Sequence, residues 1–391
     1  MDYAALAKQH EDHIIALRRD FHAHPELSFK EIRTSQVVCD ELDKLGIPPV
    51  RLEENCVVGK LVGGKAKEGS PRLAIRADMD ALPVTEEADV PFKSRNEGVM
   101  HACGHDGHTA MLLGAARMLK QMEKDLAGTV YLCFQSAEEV GGGAMTVIDH
   151  LDKEGGVDRC IAAHLWADLD SGLLSVVEGA RMANGDAFTI EVTGRGGHGS
   201  RPDLSIDPIK PMSQIVLDIS AIPTNRIEAI EPCVVHVGRF EAGTLGNVFP
   251  QKAKIWGGIR TFSKQNRERV SQIIRQIAEH TAAAYGATAD VQIQWGVPMV
   301  YNSAESVELA QAVLQETGLF TPDPFYPICA SENYGFFVER FGGFMYYIGM
   351  RNEEKGLTYT QHHPKFGIDE DVLAKGSAFF AAYAEAFLSG R

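Results

Sequence analysis

The chain has 391 residues, 45% of them hydrophobic, and its 38 basic residues against 53 acidic ones give a formal net charge of −15. A chain of this size can bury one large core or two moderate ones, and its acidic surface disfavours nucleic acid as a partner. The start lacks the layout of a signal peptide, and no apolar run is long enough for a bilayer, so we expect no membrane association. The seven cysteines are widely scattered, which is typical of reduced thiols in a cytoplasmic protein.

The first 180 residues alternate between helical and strand patterns. Helices are predicted at 10–20 and 30–45, and another after the segment HACGHD, where apolar residues recur at helical spacing from Met111 to Met122. Short apolar runs predict buried strands at 56–63, 72–78, 129–135 and 159–166. Strands separated by helices predict an α/β fold with a mostly parallel sheet flanked by helices.

The order of predicted strands and helices changes at Asp186. A strand at 187–194, a helix at 207–222, strands at 233–243 and 253–261, a helix at 264–286 and a strand at 289–296 follow one another. This βαββαβ order predicts a ferredoxin-like α+β unit. We therefore expect a catalytic domain formed by residues 1–185 and 297–391, with an inserted domain at 186–296.

Four segments carry side chains that bind metals. Cys103 and His105 stand in HACGHD, Glu138 and Glu139 follow a strand directly, His164 lies in another strand, and His362 and His363 precede a proline. Taken alone, each segment also has an interpretation without function: a chance Cys-x-His pair, a solvated helix start, or a packed histidine. The helix that follows Cys103 would also lower the pKa of its thiol.

The positions of these segments in the fold make a shared site the better interpretation. The Cys103 loop, the Glu138–Glu139 pair and His164 accompany strands, and the carboxyl ends of parallel strands are where open α/β sheets bind ligands. Such a group suits a two-metal hydrolytic site in which one glutamate binds metal and its neighbour takes a proton from water.

A series of motifs also resembles those of a known family. RADMDALP, MHACGHDGHTAML, FQSAEE, AAHLW, GRGGHGSRP, GNVFP, IRTF and HHPKFGIDEDVL occur in this order along the chain. The sequence is similar to the metal-dependent N-acyl-amino-acid amidohydrolases, which include hippurate hydrolase, plant auxin-conjugate hydrolases and N-acetyldiaminopimelate deacetylase. That group is akin to aminoacylase and glutamate carboxypeptidase.

The resemblance implies a role for each of nine residues. It implies metal ligands at Cys103, His105, Glu139, His164 and His362, with His363 as the fallback for the last one. Glu138 matches the general base, and His198 a histidine that polarises the scissile carbonyl. Asn247 and Arg260 match lid residues that contact the amide oxygen and the substrate carboxylate. It also implies a homodimer, or a dimer of dimers, formed through the inserted lid domain, with His198 acting on the partner's site.

Several nearby residues receive other interpretations. Asp80 is expected to support the ligands without binding metal, and His101 and His108 to be structural. Asn333 stands where many members of the family have aspartate, a departure that bears on substrate preference.

The predicted activity is hydrolysis of the amide bond of a small N-acylated amino acid, with two divalent cations per chain. Manganese or zinc is the preferred metal, and cobalt or nickel is possible. A dipeptidase or carboxypeptidase of the same family is the nearest alternative. From other classes, Cys103 could be the nucleophile of a thiol hydrolase, or the cluster could hold a structural zinc in a binding protein.

Overall fold

The computed structural model describes residues 1–390. Within them the chain forms ten α-helices: α1 Tyr3–Ala23, α2 Ile32–Lys44, α3 His105–Met122, α4 Ala144–Lys153, α5 Ile209–Ser220, α6 Ile222–Asn225, α7 Lys264–Ala284, α8 Ala304–Thr317, α9 Gly335–Phe341 and α10 Leu373–Leu388. The same residues form sixteen strands: β1 Pro49–Arg51, β2 Val57–Val62, β3 Arg72–Asp78, β4 Thr129–Gln135, β5 Arg159–Asp170, β6 Leu173–Ser175, β7 Gly179–Met182, β8 Gly185–Thr193, β9 Gly197–His198, β10 Cys233–Ala242, β11 Val248–Phe249, β12 Lys252–Thr261, β13 Thr288–Val297, β14 Val300–Asn302, β15 Thr321–Pro322 and β16 Gly343–Arg351.

The described chain divides into two compact units. The larger unit contains Met1–Arg181, Tyr301–Tyr326 and the described residues from Asn333 onward. The smaller unit contains Met182–Val300 and the short segment Pro327–Glu332. The role of the smaller unit as a lid and dimerisation domain stays a prediction.

The larger unit is built on an eight-stranded sheet with the order β1-β2-β4-β3-β5-β16-β6-β15. Its central strands β4, β3, β5 and β16 run parallel, whereas β2 pairs antiparallel with β4 at one side. These four central strands are almost wholly buried, as their continuous apolar runs predict. The predicted α/β class, with a mostly parallel sheet flanked by helices, is confirmed.

Helices α1, α3 and α10 pack together, and α3 and α10 contact β3 of the sheet. The first helix is longer than its apolar periodicity predicts. It begins at Tyr3 instead of about residue 10, because the Asp2 side chain accepts a hydrogen bond from the Ala5 N–H at 3.0 Å and caps the helix.

The smaller unit contains a four-stranded antiparallel sheet with the order β10-β12-β8-β13. Helices α5 and α7 pack on each other and contact its strands. Strand β8 alternates strictly between buried and half-buried residues, as expected of a sheet with one covered face. The predicted βαββαβ order is observed.

None of the described helices combines the length and apolarity that crossing a membrane requires. All seven cysteines are free thiols, and four of them are buried: Cys39, Cys56, Cys133 and Cys160.

Candidate functional site

The predicted metal-binding side chains of the larger unit lie close together, although His164 stands in the middle of β5, which continues to Asp170 beyond the predicted strand end. The ligand atoms of Cys103, His105 and His164 all lie within 4.8 Å of one another. A second group with the same spacing contains Cys103, Glu139 and His362. The two groups share Cys103, so five candidate ligands form two overlapping clusters.

His105 begins helix α3, and Asp80 fixes the orientation of its ring. The His105 Nδ1 lies 2.9 Å from the Asp80 carbonyl oxygen and 3.2 Å from its Oδ1, so that Nδ1–H donates to Asp80. The other nitrogen, Nε2, is buried without a hydrogen-bond partner, as is Oε1 of Glu139, and the two atoms are 3.9 Å apart. An unpartnered lone pair on each atom is what a cation would bind.

His164 and Cys103 complete the first cluster. The His164 Nδ1–H donates to the Leu165 carbonyl at 2.8 Å, and its Nε2 lies 3.8 Å from the Cys103 Sγ. Burial lowers the pKa of His164 well below its ordinary value, which keeps the imidazole neutral. A neutral imidazole is the form that binds metals.

The thiol of Cys103 corrects an expectation from the sequence. Burial, together with the charge of Glu139, raises the pKa of Cys103 well above its ordinary value. This direction is opposite to the lowering predicted from the helix start, and it follows from desolvation and from the neighbouring carboxylates. Nucleophilic cysteines need the opposite shift.

The structure separates the two neighbouring histidines before Pro364. His362 has a left-handed backbone, with φ of 65°, and its Nε2 lies 3.5 Å from Glu139 Oε1. The His363 ring instead stacks on Tyr359 at 4.4 Å, and its Nδ1 accepts the Lys365 N–H at 3.0 Å. Only His362 reaches the cluster.

Asp80 also holds the turn that carries the two glutamates. Its Oδ1 accepts the Glu138 N–H and its Oδ2 accepts the Glu139 N–H, each at 3.1 Å. The Ser28 hydroxyl donates to Oδ2 at 2.7 Å. Asp80 therefore orients a ligand and the turn at the same time, which agrees with the supporting position expected for it.

Asn333, noted in the sequence as a departure from the family pattern, contacts Glu138 in the structure. Its backbone N–H donates to Glu138 Oε1 at 3.0 Å. Its buried side-chain oxygen accepts from Arg76 at 3.0 Å and from Gln135 at 2.9 Å, and its Nδ2 donates to the Gly142 carbonyl at 2.8 Å. Its neighbours Glu332 and Tyr334 are also buried. No pattern in the sequence around Asn333 indicates its contact with Glu138.

Asp78 and His108 form a buried pair beside the cluster. Asp78 Oδ1 lies 2.6 Å from His108 Nδ1, and its Oδ2 accepts from Arg76 at 2.7 Å. The His108 Nε2 accepts the Leu165 N–H at 2.9 Å, so both ring nitrogens are engaged. Burial alone would raise the pKa of Asp78, but its electrostatic interactions with the His105 ring, the Arg76 guanidinium and the His108 ring, and its hydrogen bond with His108, hold that pKa well below its ordinary value.

His101 is buried, and neither of its ring nitrogens has a hydrogen-bond partner in the described chain. Burial lowers the pKa of His101 to about 4, so its ring is neutral. It does not belong to any of the clusters of possible ligand atoms.

The remaining predicted residues lie in the smaller unit. His198 is exposed on β9, which pairs with β11, and the adjacent Gly199 N–H donates to the Asn247 carbonyl at 2.8 Å. Arg260 on β12 is half-buried and donates from Nη1 to the Ile259 carbonyl at 3.0 Å. Among the described residues, Arg260 has no carboxylate partner.

The donor set fits two divalent cations. Thiolate and imidazole donors suit zinc and its neighbours in the transition series, and carboxylate donors suit manganese as well. The unpartnered Nε2 of His105 and Oε1 of Glu139 face each other inside the cluster. Five candidate ligands exceed the four that a closed structural zinc site uses.

Comparisons with known proteins identify the family of this chain. The family model described as "Peptidase family M20/M25/M40" matches residues 74–386. The chain is 39% identical over 385 residues to thermostable carboxypeptidase 2 of Saccharolobus solfataricus, covering 97% of this chain and 96% of that protein. It is 41% identical over 293 residues to an N-acyl-L-amino acid amidohydrolase of Geobacillus stearothermophilus, covering 75% of this chain and 78% of that one.

A solved structure of similar fold comes from Bacillus subtilis and is described as a dinuclear metal-binding peptidase of the M20 family. It has a TM-score of 0.87 and 33% identity, and the match covers 98% of this chain and 99% of that one. The predicted resemblance is confirmed: the chain belongs to peptidase family M20/M25/M40, whose members hydrolyse amide bonds.

Proposed function

We propose that this protein hydrolyses the amide bond of N-acylated amino acids, giving a carboxylic acid and a free amino acid. Cys103, His105, Glu139, His164 and His362 would hold two divalent cations. The observation that carries the proposal is the pair of overlapping ligand clusters, with the carboxylate of Glu138 held next to them by the Asn333 N–H.

The chain's own groups would divide the chemistry as follows. When bound, the two cations would polarise the scissile carbonyl and lower the pKa of the attacking water. Glu138 would take a proton from that water and later transfer it to the leaving amine. Asp80, through its bonds to the Glu138 and Glu139 N–H groups, would keep the two carboxylates in their separate roles.

Three residues of the smaller unit would recognise the substrate. His198 would polarise the carbonyl, Asn247 would contact the amide oxygen, and Arg260 would bind the free carboxylate. The absence of a carboxylate partner for Arg260 in the described chain supports its part, because a guanidinium and a carboxylate form two parallel hydrogen bonds.

Two relatives suggest different substrate classes, because one is named an amidohydrolase and the other a carboxypeptidase. Both reactions attack an amide whose amine side carries a carboxylate, so the same residues would serve either. We favour an N-acylated amino acid as the substrate, because the motifs along the chain resemble those of the amidohydrolases. Manganese or zinc is the metal we propose. The cytoplasm is the proposed compartment, supported by seven free thiols.

The thiol-hydrolase alternative, with Cys103 as the nucleophile, predicts a different response to metal removal. A chelator distinguishes the two mechanisms, because a thiol enzyme would survive EDTA and be inactivated by iodoacetamide. Counting bound metals per chain tests the structural-zinc alternative, which requires one metal and four protein ligands.

The deciding experiment compares Glu138→Gln with Glu139→Gln, two neutral variants of adjacent residues. We expect Glu139→Gln to lose bound metal. Glu138→Gln should keep metal and substrate affinity but lose kcat by ~10²–10⁴-fold, the usual contribution of a general base. Metal analysis beside kinetics on N-acetyl and N-benzoyl amino acids measures both effects. Equal metal loss in the two variants would refute the assignment.

A further inference from the structure

Three arginines are among the largest fully buried side chains of the protein: Arg18, Arg76 and Arg181. Arg18 contacts Asp106 at 2.9 Å, and Arg76 contacts Asp78 at 2.7 Å. Arg181 is 2% exposed and has no carboxylate partner among the described residues. A buried cation without a counter-charge is costly, so buried charges are ordinarily paired.

The guanidinium of Arg181 is also incompletely hydrogen-bonded. Its side-chain hydrogen bond runs from Nη2 to the Phe325 carbonyl at 2.6 Å, whereas the buried Nε has no partner. The guanidinium carbon lies 5.3 Å from the centre of the Tyr347 ring. A stacked aromatic ring attracts a cation but accepts no conventional hydrogen bond.

Two further buried donors without partners adjoin the same tyrosine. Ser175 is wholly buried and is the cross-strand partner of Tyr347, and its hydroxyl has no hydrogen-bond partner. Trp166 is 8% exposed, its ring centre lies 5.6 Å from that of Tyr347, and its indole Nε1 is also unpartnered. Buried polar groups are nearly always hydrogen-bonded, so three such donors around one ring indicate a missing acceptor.

The sheet register places Ser175 and Trp166 on the same face as Tyr347, whereas Arg181, on β7 outside this sheet, packs over the Tyr347 ring. Tyr347 pairs with His164 and Ser175, and Trp166, two residues after His164, pairs with Gly349. Residues two apart in a strand share a face, as do registered partners. The ring centres of His164 and Trp166 are 5.2 Å apart, so Trp166 lies next to the candidate metal centre.

We propose that Arg181, Trp166 and Ser175 form a binding site for a carboxylate, located along this sheet face from His164. A carboxylate offers two oxygens and about four lone-pair positions, enough for all three donors, and its charge neutralises the guanidinium. Buried water would satisfy the donors but would leave the cation unpaired.

The carboxylate can come from two sources. A substrate whose acyl group ends in its own carboxylate would place it here while its amide is at the metals, an extension that rests on the proposed function. A free carboxylic acid from solution, including the acid released by amide hydrolysis, would bind without any substrate.

The first measurement is the melting temperature of the protein in rising sodium acetate or sodium succinate at constant ionic strength. A ligand that binds the folded state raises the melting temperature in a saturable way. We expect this rise in the natural chain and its loss in Arg181→Met. Trp166→Phe and Ser175→Ala, which remove one donor each with little change of shape, should weaken apparent affinity roughly tenfold or more.

Two controls exclude other anion sites. His362→Ala impairs the candidate metal centre and should keep the shift, which removes carboxylate binding to metal as its cause. Arg159→Met removes a mostly buried arginine that already has Glu305 as its partner and should also keep it. If Arg181→Met does not fold, the Trp166 and Ser175 variants still test the site.

A second measurement identifies the source with N-succinyl and N-acetyl derivatives of one amino acid. If the substrate's own carboxylate binds, Arg181→Met should lower kcat/KM for the succinyl compound about 10- to 100-fold and spare the acetyl compound. A melting shift with no such discrimination indicates a free acid. The proposal is overturned if carboxylates do not raise the melting temperature, or if the rise is unchanged in the Arg181, Trp166 and Ser175 variants. Buried water alone would then satisfy the three donors. If the protein hydrolyses no N-acyl amino acid but its melting temperature still rises with carboxylate, the proposed function is refuted and the carboxylate site is not.

Discussion

Glu138 is held from a distant part of the chain. Its Oε1 receives the N–H of Asn333, 195 positions later in the sequence. The Asn333 side chain is itself locked by Arg76, Gln135 and Gly142. The carboxylate proposed as the general base therefore depends on a residue that would act without touching substrate or metal.

We expect Asn333→Ala to lower kcat about 10- to 100-fold, the usual effect of removing a residue that orients a reacting group. KM and metal content should stay close to those of the natural chain. Asn302→Ala is the matched control, because Asn302 is equally buried and bonded to Val177 and Met345 away from the cluster. Both variants should melt earlier, but only Asn333→Ala should lose turnover. An equal kcat in the two variants would contradict the positioning role.

Arg260 carries a prediction about substrate recognition. Arg260→Ala should lower kcat/KM about 10- to 100-fold for substrates with a free α-carboxylate, since a hydrogen bond to a charged group is worth ~1.5–3 kcal/mol. The corresponding amides or esters should be nearly unaffected. Arg267→Ala, which breaks the pair with Asp186 in the same unit, should destabilise without this discrimination. A similar loss for both substrate classes would mean that Arg260 is structural.

At the scale of elements, the turn between β4 and α4 sets the directions of the two glutamates. Ala137 has a left-handed backbone, with φ of 56°, which a residue with a Cβ adopts at some cost in energy. The carboxyl of Glu31, just before α2, accepts the Ala137 N–H at 2.8 Å and holds this conformation. Burial raises the pKa of Glu31 to about 7, and the charge of Asp80 adds to the effect.

This raised pKa predicts how stability depends on pH. The folded protein keeps Glu31 protonated up to about pH 7, whereas the unfolded chain releases that proton near 4.5, so this contribution is full below 4.5 and is lost as pH rises through 7. Glu31→Gln imitates the protonated form. The free energy of unfolding of Glu31→Gln, relative to that of the natural chain, should rise by about 2.5 kcal/mol between pH 5 and pH 8. Denaturant unfolding at the two pH values measures this, and parallel behaviour of the two proteins would show that Glu31 titrates normally.

At the scale of the whole molecule, we predict a homodimer, or a dimer of dimers, formed through the smaller unit. The outer strand β10 of its sheet exposes Val234 and Phe240, and α5 exposes Leu217. An open sheet edge with exposed apolar side chains is a natural surface for symmetric pairing. Sedimentation of the metal-loaded protein gives the oligomeric state.

If His198 acts on the partner's site, two inactive variants should complement each other. Glu138→Ala and His198→Ala homodimers should each be nearly inactive. A mixed dimer would contain one site with both defects and one with neither, so activity should partly return after subunit exchange. If exchange is verified with labelled chains and no activity returns, His198 acts within its own chain or has no catalytic part.

The order of segments along the chain predicted the fold class and a shared site for the Cys103 loop, the Glu138–Glu139 pair and His164. The individual ligands, His362 among them, were implied by the resemblance to the amidohydrolase family. Strand and helix periodicity predicted a parallel sheet, and the carboxyl ends of such strands lie at one edge, so the order of the segments was enough to place Cys103, Glu139 and His164 together. These inferences succeed because they depend on local patterns and on a geometric rule that holds for all such sheets.

Only the tertiary structure decided how those side chains are supported. The bond from Asn333 to Glu138, the hold of Glu31 on Ala137, and the unpartnered donors around Tyr347 join residues far apart in the chain. The raised pKa of Cys103 likewise depends on burial and on the charge of Glu139, which belongs to another segment of the chain. Contacts of this kind leave no pattern in the local sequence, because they depend on which segments fold against each other.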